Sequence, residues 1–158
     1  MTASYRASDF FEGLDRPAIA EAIRLAEEKG FGEIRVHLHH GRTGDAMKAA
    51  RETFLRLGMD RTAHRTGCLI FLVPEERTFA VVGDRAIHEK AGETFWLEAR
   101  DAAAARFREG RFTDGILAAV GMIGDVLARH FPRTAGDSDT NELPDQVSED
   151  GSPEKPRL

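Results

Sequence analysis

The sequence predicts an α/β domain: a small mixed β-sheet, made of a strand-helix-strand crossover plus a β-hairpin, sandwiched between helices. Three observations predict it. Residues 68–73, Cys-Leu-Ile-Phe-Leu-Val, are apolar at every position, which is the pattern of a strand covered on both faces. Pro74-Glu75-Glu76-Arg77 separates that run from Thr78-Phe79-Ala80-Val81-Val82-Gly83, and so short a connection makes the two strands antiparallel neighbours. Upstream, a helical pattern lies between an alternating strand at residues 33–40 and the apolar run, so those two strands should be parallel through a crossover.

Residues 1–9 form a short polar lead. Asp15-Arg16-Pro17 opens a helix, with Asp15 placed to cap it and Pro17 suited to its first turn. Ile19, Ala22, Ile23 and Ala26 form its apolar stripe. Lys29-Gly30 stops it, lysine matching the negative helix end and glycine a left-handed cap. In residues 33–40, Ile34, Val36 and Leu38 face one way, and Glu33, Arg35, His37 and His39 the other. That alternation predicts a half-exposed strand near an edge, open to pairing between chains. Asp45 is placed to cap the next helix, which turns Ala46, Ala49, Ala50, Phe54 and Leu57 toward the sheet before Gly58 ends it. After Asp84 comes a short connector around Ile87 and His88. Residues 93–108 then place Phe95, Ala99, Ala102, Ala103 and Phe107 on one helical face. Thr113 or Asp114 caps the last helix, striped by Ile116, Val120, Ile123 and Leu127, in which Gly121 and Gly124 mark close packing. Phe131-Pro132 ends the domain, taken as residues 10–132. Residues 133–158 hold no aromatic residue and are rich in Asp, Glu, Ser, Pro and Gly, so a disordered acidic tail is expected.

Composition narrows the function. A chain of 158 residues is one domain, and 41% hydrophobic content supports a core. No apolar run approaches the ~18 residues of a membrane span, and the start lacks a signal pattern, so a soluble cytoplasmic protein is expected. A net charge of -5 without a basic cluster argues against a nucleic-acid partner. Cys68 is the one cysteine, which excludes an internal disulfide. There is no Walker phosphate loop, no Gly-x-Ser-x-Gly elbow and no Cys-x5-Arg loop, the last of which removes the cysteine phosphatase mechanism; no nucleotide or organic cofactor is expected.

Several blocks occur together in a recognisable order: Ala22–Glu27 with Gly32–His37, residues 50–59 ending Phe54-Leu55-Arg56-Leu57-Gly58-Met59, Arg65–Ile70, Phe79–Asp84, Phe95-Trp96, Phe107 with Gly110-Arg111-Phe112, Gly115-Ile116 and His130-Phe131-Pro132. This set resembles the TPM domain family, also called the TPM phosphatase family, in its short soluble bacterial branch. The resemblance implies an α/β sandwich. It also implies, for some members, weak acid phosphatase activity or binding of Ca²⁺ or Mg²⁺. Two positions depart from the family pattern: Thr66 stands where an Asn is usual, and Gly83-Asp84-Arg85 replaces a Gly-Tyr-Gly ending.

The predicted topology gathers Glu33, the Arg65–Thr66 loop and Asp84 at one end of the sheet. Two carboxylates and loop carbonyls suit a hard cation, which makes Glu33, Asp84 and Thr66 candidate metal ligands for Ca²⁺ or Mg²⁺. Arg65 suits a phosphate, and Asp84 is the candidate nucleophile for a phosphomonoester hydrolase. The plainer reading has Glu33 paired with Arg35 or Arg65 and Asp84 capping the connector after it. Asp45, with Thr43 and the His39–His40 strand end, is the alternative at the opposite edge, although a helix cap explains it alone. His37 and His39 have zinc spacing but no evident third ligand. His64, beside Arg65, has the chemistry of a general acid or base. Two functions compete: a noncatalytic accessory module that binds a protein partner or a divalent cation, and a weak phosphatase. A third has the acidic tail recruiting a basic partner.

Overall fold

The computed structural model describes residues 6–133 and 147–150. Strands β1 (Glu33–His39), β2 (Gly67–Val73), β3 (Thr78–Gly83) and β4 (Val147–Asp150) form one sheet in the order β3-β2-β1-β4. β1 and β2 are parallel with Glu33 opposite Gly67, and β2 and β3 are antiparallel with Cys68 opposite Gly83. Six helices surround the sheet among the described residues: α1 (Ala7–Gly13), α2 (Arg16–Lys29), α3 (Ala46–Arg56), α4 (Arg85–Ala91), α5 (Glu93–Arg108) and α6 (Phe112–His130). The predicted mixed α/β sandwich is the observed fold.

Strand periodicity divides the interior into two cores. On one face, Ile34, Val36, Leu38, Cys68, Ile70 and Leu72 pack against Ile19 and Ile23 of α2 and Ile116, Val120, Ile123 and Leu127 of α6. On the other, Leu69, Phe71, Val73 and Ala80 meet Ala50 and Phe54 of α3 and Met59 just beyond it. Each fully buried aliphatic side chain contributes roughly 1.5–3 kcal/mol of transfer free energy. That continuous burial is why β2 is apolar on both faces. Local signals hold at two helix starts. Asp15 Oδ1 accepts from the Ala18 N–H at 3.0 Å, and Asp45 Oδ1 from the Lys48 N–H at 3.1 Å.

Other expectations are corrected. β1 is neither half-exposed nor at an edge. Arg35 and His37 are 4% and 1% exposed; the His37 ring stacks on Phe71 of β2, and β4 flanks β1 on the side away from β2. β4 itself lies within the expected disordered tail. It runs parallel to β1 with Val147 opposite Val36 and Asp150 opposite His39. Residues 134–146 and 151–158 of that tail lie outside the described residues. Helix α1 begins at Ala7, within the expected polar lead, and the ring of Phe10 enters the core. The connector after Asp84 is a helix, α4, with Asp84 at its start. Neither Thr113 nor Asp114 caps α6. Thr113 Oγ1 instead accepts from the Asp15 N–H at 3.0 Å, and Asp114 pairs with Arg111.

Gly30 is extended at φ -152° rather than left-handed. Its value is closeness: a Cβ there would lie 2.4 Å from the backbone of Leu127. Gly124 likewise faces Ala26, whereas nothing lies within 4 Å of a Cβ at exposed Gly121, which corrects the packing role expected there. At Gly83 a Cβ would meet the Trp96 ring at 2.4 Å. Gly83→Ala should therefore destabilise the fold by about 1–3 kcal/mol and shift the fluorescence of the single tryptophan. Gly121→Ala should stabilise it by roughly 0.5–1 kcal/mol, through helix propensity alone. Denaturant midpoints moving in opposite directions would check both.

Candidate functional site

At the β2 start, the chain from Thr62 to Gly67 folds back on itself. Arg65 adopts φ 55°, and the Thr66 N–H donates to Thr62 Oγ1 at 3.2 Å. The Asp84 N–H donates to the Gly67 carbonyl at 2.8 Å, and the Ala86 N–H to the Arg65 carbonyl at 3.1 Å. These backbone bonds fix Asp84 beside Arg65. The guanidinium then forks onto the carboxylate, Nε to Oδ2 at 2.7 Å and Nη2 to Oδ1 at 2.8 Å. The Arg85 N–H adds a bond to Oδ1 at 2.8 Å. Burial pushes the Asp84 carboxyl upward, but the Arg65 fork, the Arg85 N–H and both arginine charges outweigh it and hold the group below its ordinary value.

The predicted constellation is therefore assembled, with its groups committed to one another. Glu33 is buried at the adjacent strand start, and its N–H donates to the Thr66 carbonyl at 3.3 Å. Asp84 does begin the segment after it, as the plainer reading had it. His64 is exposed, and its ring sits 4.6 Å from that of Phe31. Cys68 is completely buried and its thiol is pushed strongly upward by desolvation, which leaves it inert as a nucleophile.

The opposite end of the sheet is also closed by internal bonds. Glu76, which sequence reasoning passed over, draws in the Thr43–Gly44 loop. It accepts from Thr43 N–H at 3.1 Å, Thr43 Oγ1 at 2.6 Å and Gly44 N–H at 2.8 Å. Those bonds hold its carboxyl below the usual range. Asp45 beside them is the cap of α3, whereas His39 and His40 find their partners on β4. His39 Nδ1 lies 2.6 Å from Asp150 Oδ1, and His40 Nε2 lies 2.7 Å from Glu149 Oε2.

The buried side of β1 continues that cluster. His37 Nδ1 is 2.7 Å from Ser148 Oγ, and its Nε2 is 3.0 Å from Asp150 Oδ1. Both imidazoles stack on Phe71, at 5.6 and 5.7 Å between centroids. Arg56 of α3 pairs with Asp150, and Arg16 of α2 with Glu149. β4 is thus a short acidic strand held by a ladder to β1 and by three histidines and two arginines. Ser148, Glu149 and Asp150 were missed because they stand in an acidic, aromatic-free stretch. The signal that pointed toward them was the His37–His39 pair, buried polar groups in need of partners. Among the described residues, no three His, Cys, Asp or Glu side chains are arranged to hold a metal ion.

This cluster titrates with a definite sign. Burial, opposed by Asp150, lowers the pKa of His37 from its ordinary 6.5, so the unfolded chain takes up that proton first. Stability from this group is present above pH 6.5 and is lost as the pH falls below it. Asp150 is raised by burial, but the bonds from His39, His37 and Arg56 prevail and hold it down at about 2. Its contribution is present above 3.8 and is lost as the pH falls from there toward 2; Asp84, also held below its ordinary value, adds to the loss below 3.8. The denaturant midpoint should therefore hold steady from pH 8 to 7, decline below 6.5 and decline again below 3.8. Asp150→Asn should shrink the second decline and speed amide exchange at Val147–Asp150.

With the geometry in place, comparison with known proteins sets the family. No functionally curated protein matches the chain. The BA42 protein of the psychrophilic bacterium Bizionia argentinensis, solved by NMR, is 33% identical with a TM-score of 0.77, over 95% of this chain and 98% of that one. The N-terminal domain of a protein from P. gingivalis shares the fold at 15% identity and TM-score 0.62, over 75% of this chain and 78% of that one. The family model described as the TPM domain matches residues 4–126, which include Glu33, Arg65, Thr66 and Asp84. The chain belongs to the TPM domain family.

Proposed function

We propose that this TPM domain is a noncatalytic interaction module that works in the cytoplasm. The observation that carries the reading is the fork between Arg65 and Asp84. A phosphoryl-transfer site needs an accessible nucleophile and a separate electrophilic clamp. Here the one candidate nucleophile and the one candidate clamp neutralise each other at 2.7–2.8 Å. An ionised carboxylate in that fork already accepts three hydrogen bonds, and its depressed pKa marks a weak nucleophile and a poor general acid. The way β1 holds β4 supports the other half of the reading, because a ladder plus paired charges is how a sheet edge recognises an extended acidic segment.

A Ca²⁺ or Mg²⁺ ion is what the family resemblance implies for the same end of the sheet. The residues as arranged do not fit one. The Arg65 guanidinium stands on the Asp84 oxygens. A cation there would have to displace a like charge.

Two measurements test the proposal. In an NMR titration, millimolar Ca²⁺ or Mg²⁺ should produce no saturable shifts at Glu33, Thr66 or Asp84. Saturable shifts there, enhanced in Arg65→Ala, would establish the cation module instead. Hydrolysis of p-nitrophenyl phosphate should stay at background, and Asp84→Asn should leave it unchanged. A rate that Asp84→Asn abolished in a folded protein would put the phosphatase reading first. Arg65→Ala should also lower the denaturant midpoint, since it leaves the buried Asp84 carboxylate without its guanidinium partner.

A further inference from the structure

A cavity of about 190 Å³ lies between α1, α5, α6 and the turn that joins β2 to β3. Its apolar walls are the rings of Phe10, Phe79, Phe107 and Phe112, with Leu72 and Ala104 between them. Phe107 meets Phe10 edge-on at 5.7 Å and Phe79 edge-on at 5.2 Å, while Phe10 leans on Phe112 at 4.6 Å. A concave hollow with aromatic walls and a few polar groups at its mouth is the usual form of a small-ligand site. A cavity of about 150 Å³ takes up benzene, which gives this one room for a single ring or an alkyl chain of roughly six to eight carbons.

The polar part of the lining is cationic. Arg77 and Arg108, both exposed, stand at the cavity with Thr78. Arg77 also lines the neighbouring depression, where, among the described residues, Arg6 and Arg42 join it against one carboxylate, Glu75. The turn itself does not require an arginine at this position. Arg77 holds φ 56°, a conformation that glycine adopts at no steric cost. An apolar hollow with guanidinium groups at its mouth selects an anion that carries an apolar body, because the charge stays partly solvated while the body leaves water.

We propose that this cavity binds a small amphiphilic carboxylate, with an aryl ring or short acyl chain among the phenylalanines and its carboxylate at Arg77 and Arg108. The site is separate from the Arg65–Asp84 end and does not depend on the function proposed for it. The test is an NMR titration of the full chain with octanoate below its micellar concentration, alongside octylamine and 1-octanol. Octanoate should give saturable shifts at Leu72, Phe79, residues 104–107 and Phe112, and bind at least tenfold more tightly than octylamine. Arg77→Gln combined with Arg108→Gln should weaken octanoate about tenfold and leave 1-octanol unchanged. Ala104→Phe should fill the hollow and abolish binding of both. The exposed arginine pair keeps the test decisive should the filling variant not fold. Octylamine binding as tightly as octanoate, an unaffected arginine double variant, or shifts that fail to saturate would overturn the proposal.

Discussion

β1 carries Glu33, Arg35, His37 and His39 into the interior, and much of the fold is built to accommodate them. Polar groups out of water cost several kcal/mol each unless they are hydrogen-bonded or paired. Nδ1 of each histidine meets that condition, at Ser148 for His37 and at Asp150 for His39, and both rings stack on Phe71. Arg56 brings α3 into the same network, and Arg16 brings α2. One strand thereby links the two helical layers and the last described strand. Its other side chains, Ile34, Val36 and Leu38, join the larger apolar core in the ordinary way.

The two ends of the sheet share a common principle. Each gathers carboxylates with positive or hydrogen-donating partners, and in each the partners come from the chain itself. Asp84 takes the Arg65 fork and an N–H, while Glu76 takes the Thr43–Gly44 loop. Asp84 looks catalytic in a linear sequence because the guanidinium that occupies it lies nineteen positions away along the chain. In the folded domain both carboxylates clasp loops to strand ends. Chemistry at the Asp84 end would have to compete with a bidentate, charge-assisted pair, among the stronger interactions a side chain makes. The aromatic cavity differs in kind. Its arginines stand at the mouth of a hollow lined by rings, so the binding capacity it offers lies apart from both strand ends.

Short-range pattern was readable from the linear chain. The apolar run of β2, the tight turn and the return strand set an antiparallel pair, and the crossover set a parallel one. The caps at Asp15 and Asp45 were legible because a cap needs only its own next few residues. The gathering of Glu33, Thr66, Arg65 and Asp84 at one end came from the same topology. Which polar residues face water was decided only in the folded chain. Alternation reports two different faces, and it does not say that one of them is wet. β1 alternates because its two sides meet different cores, an apolar one and one lined by Phe71 with a polar network. Nor could composition reveal β4. Four residues with one apolar side chain carry no local signal, and their order comes from partners more than a hundred positions away. The roles of Asp84 and Arg65 were settled in the same way, because a carboxylate and a guanidinium become ligand, nucleophile or clasp according to what stands about 3 Å away, and that distance is a property of the fold.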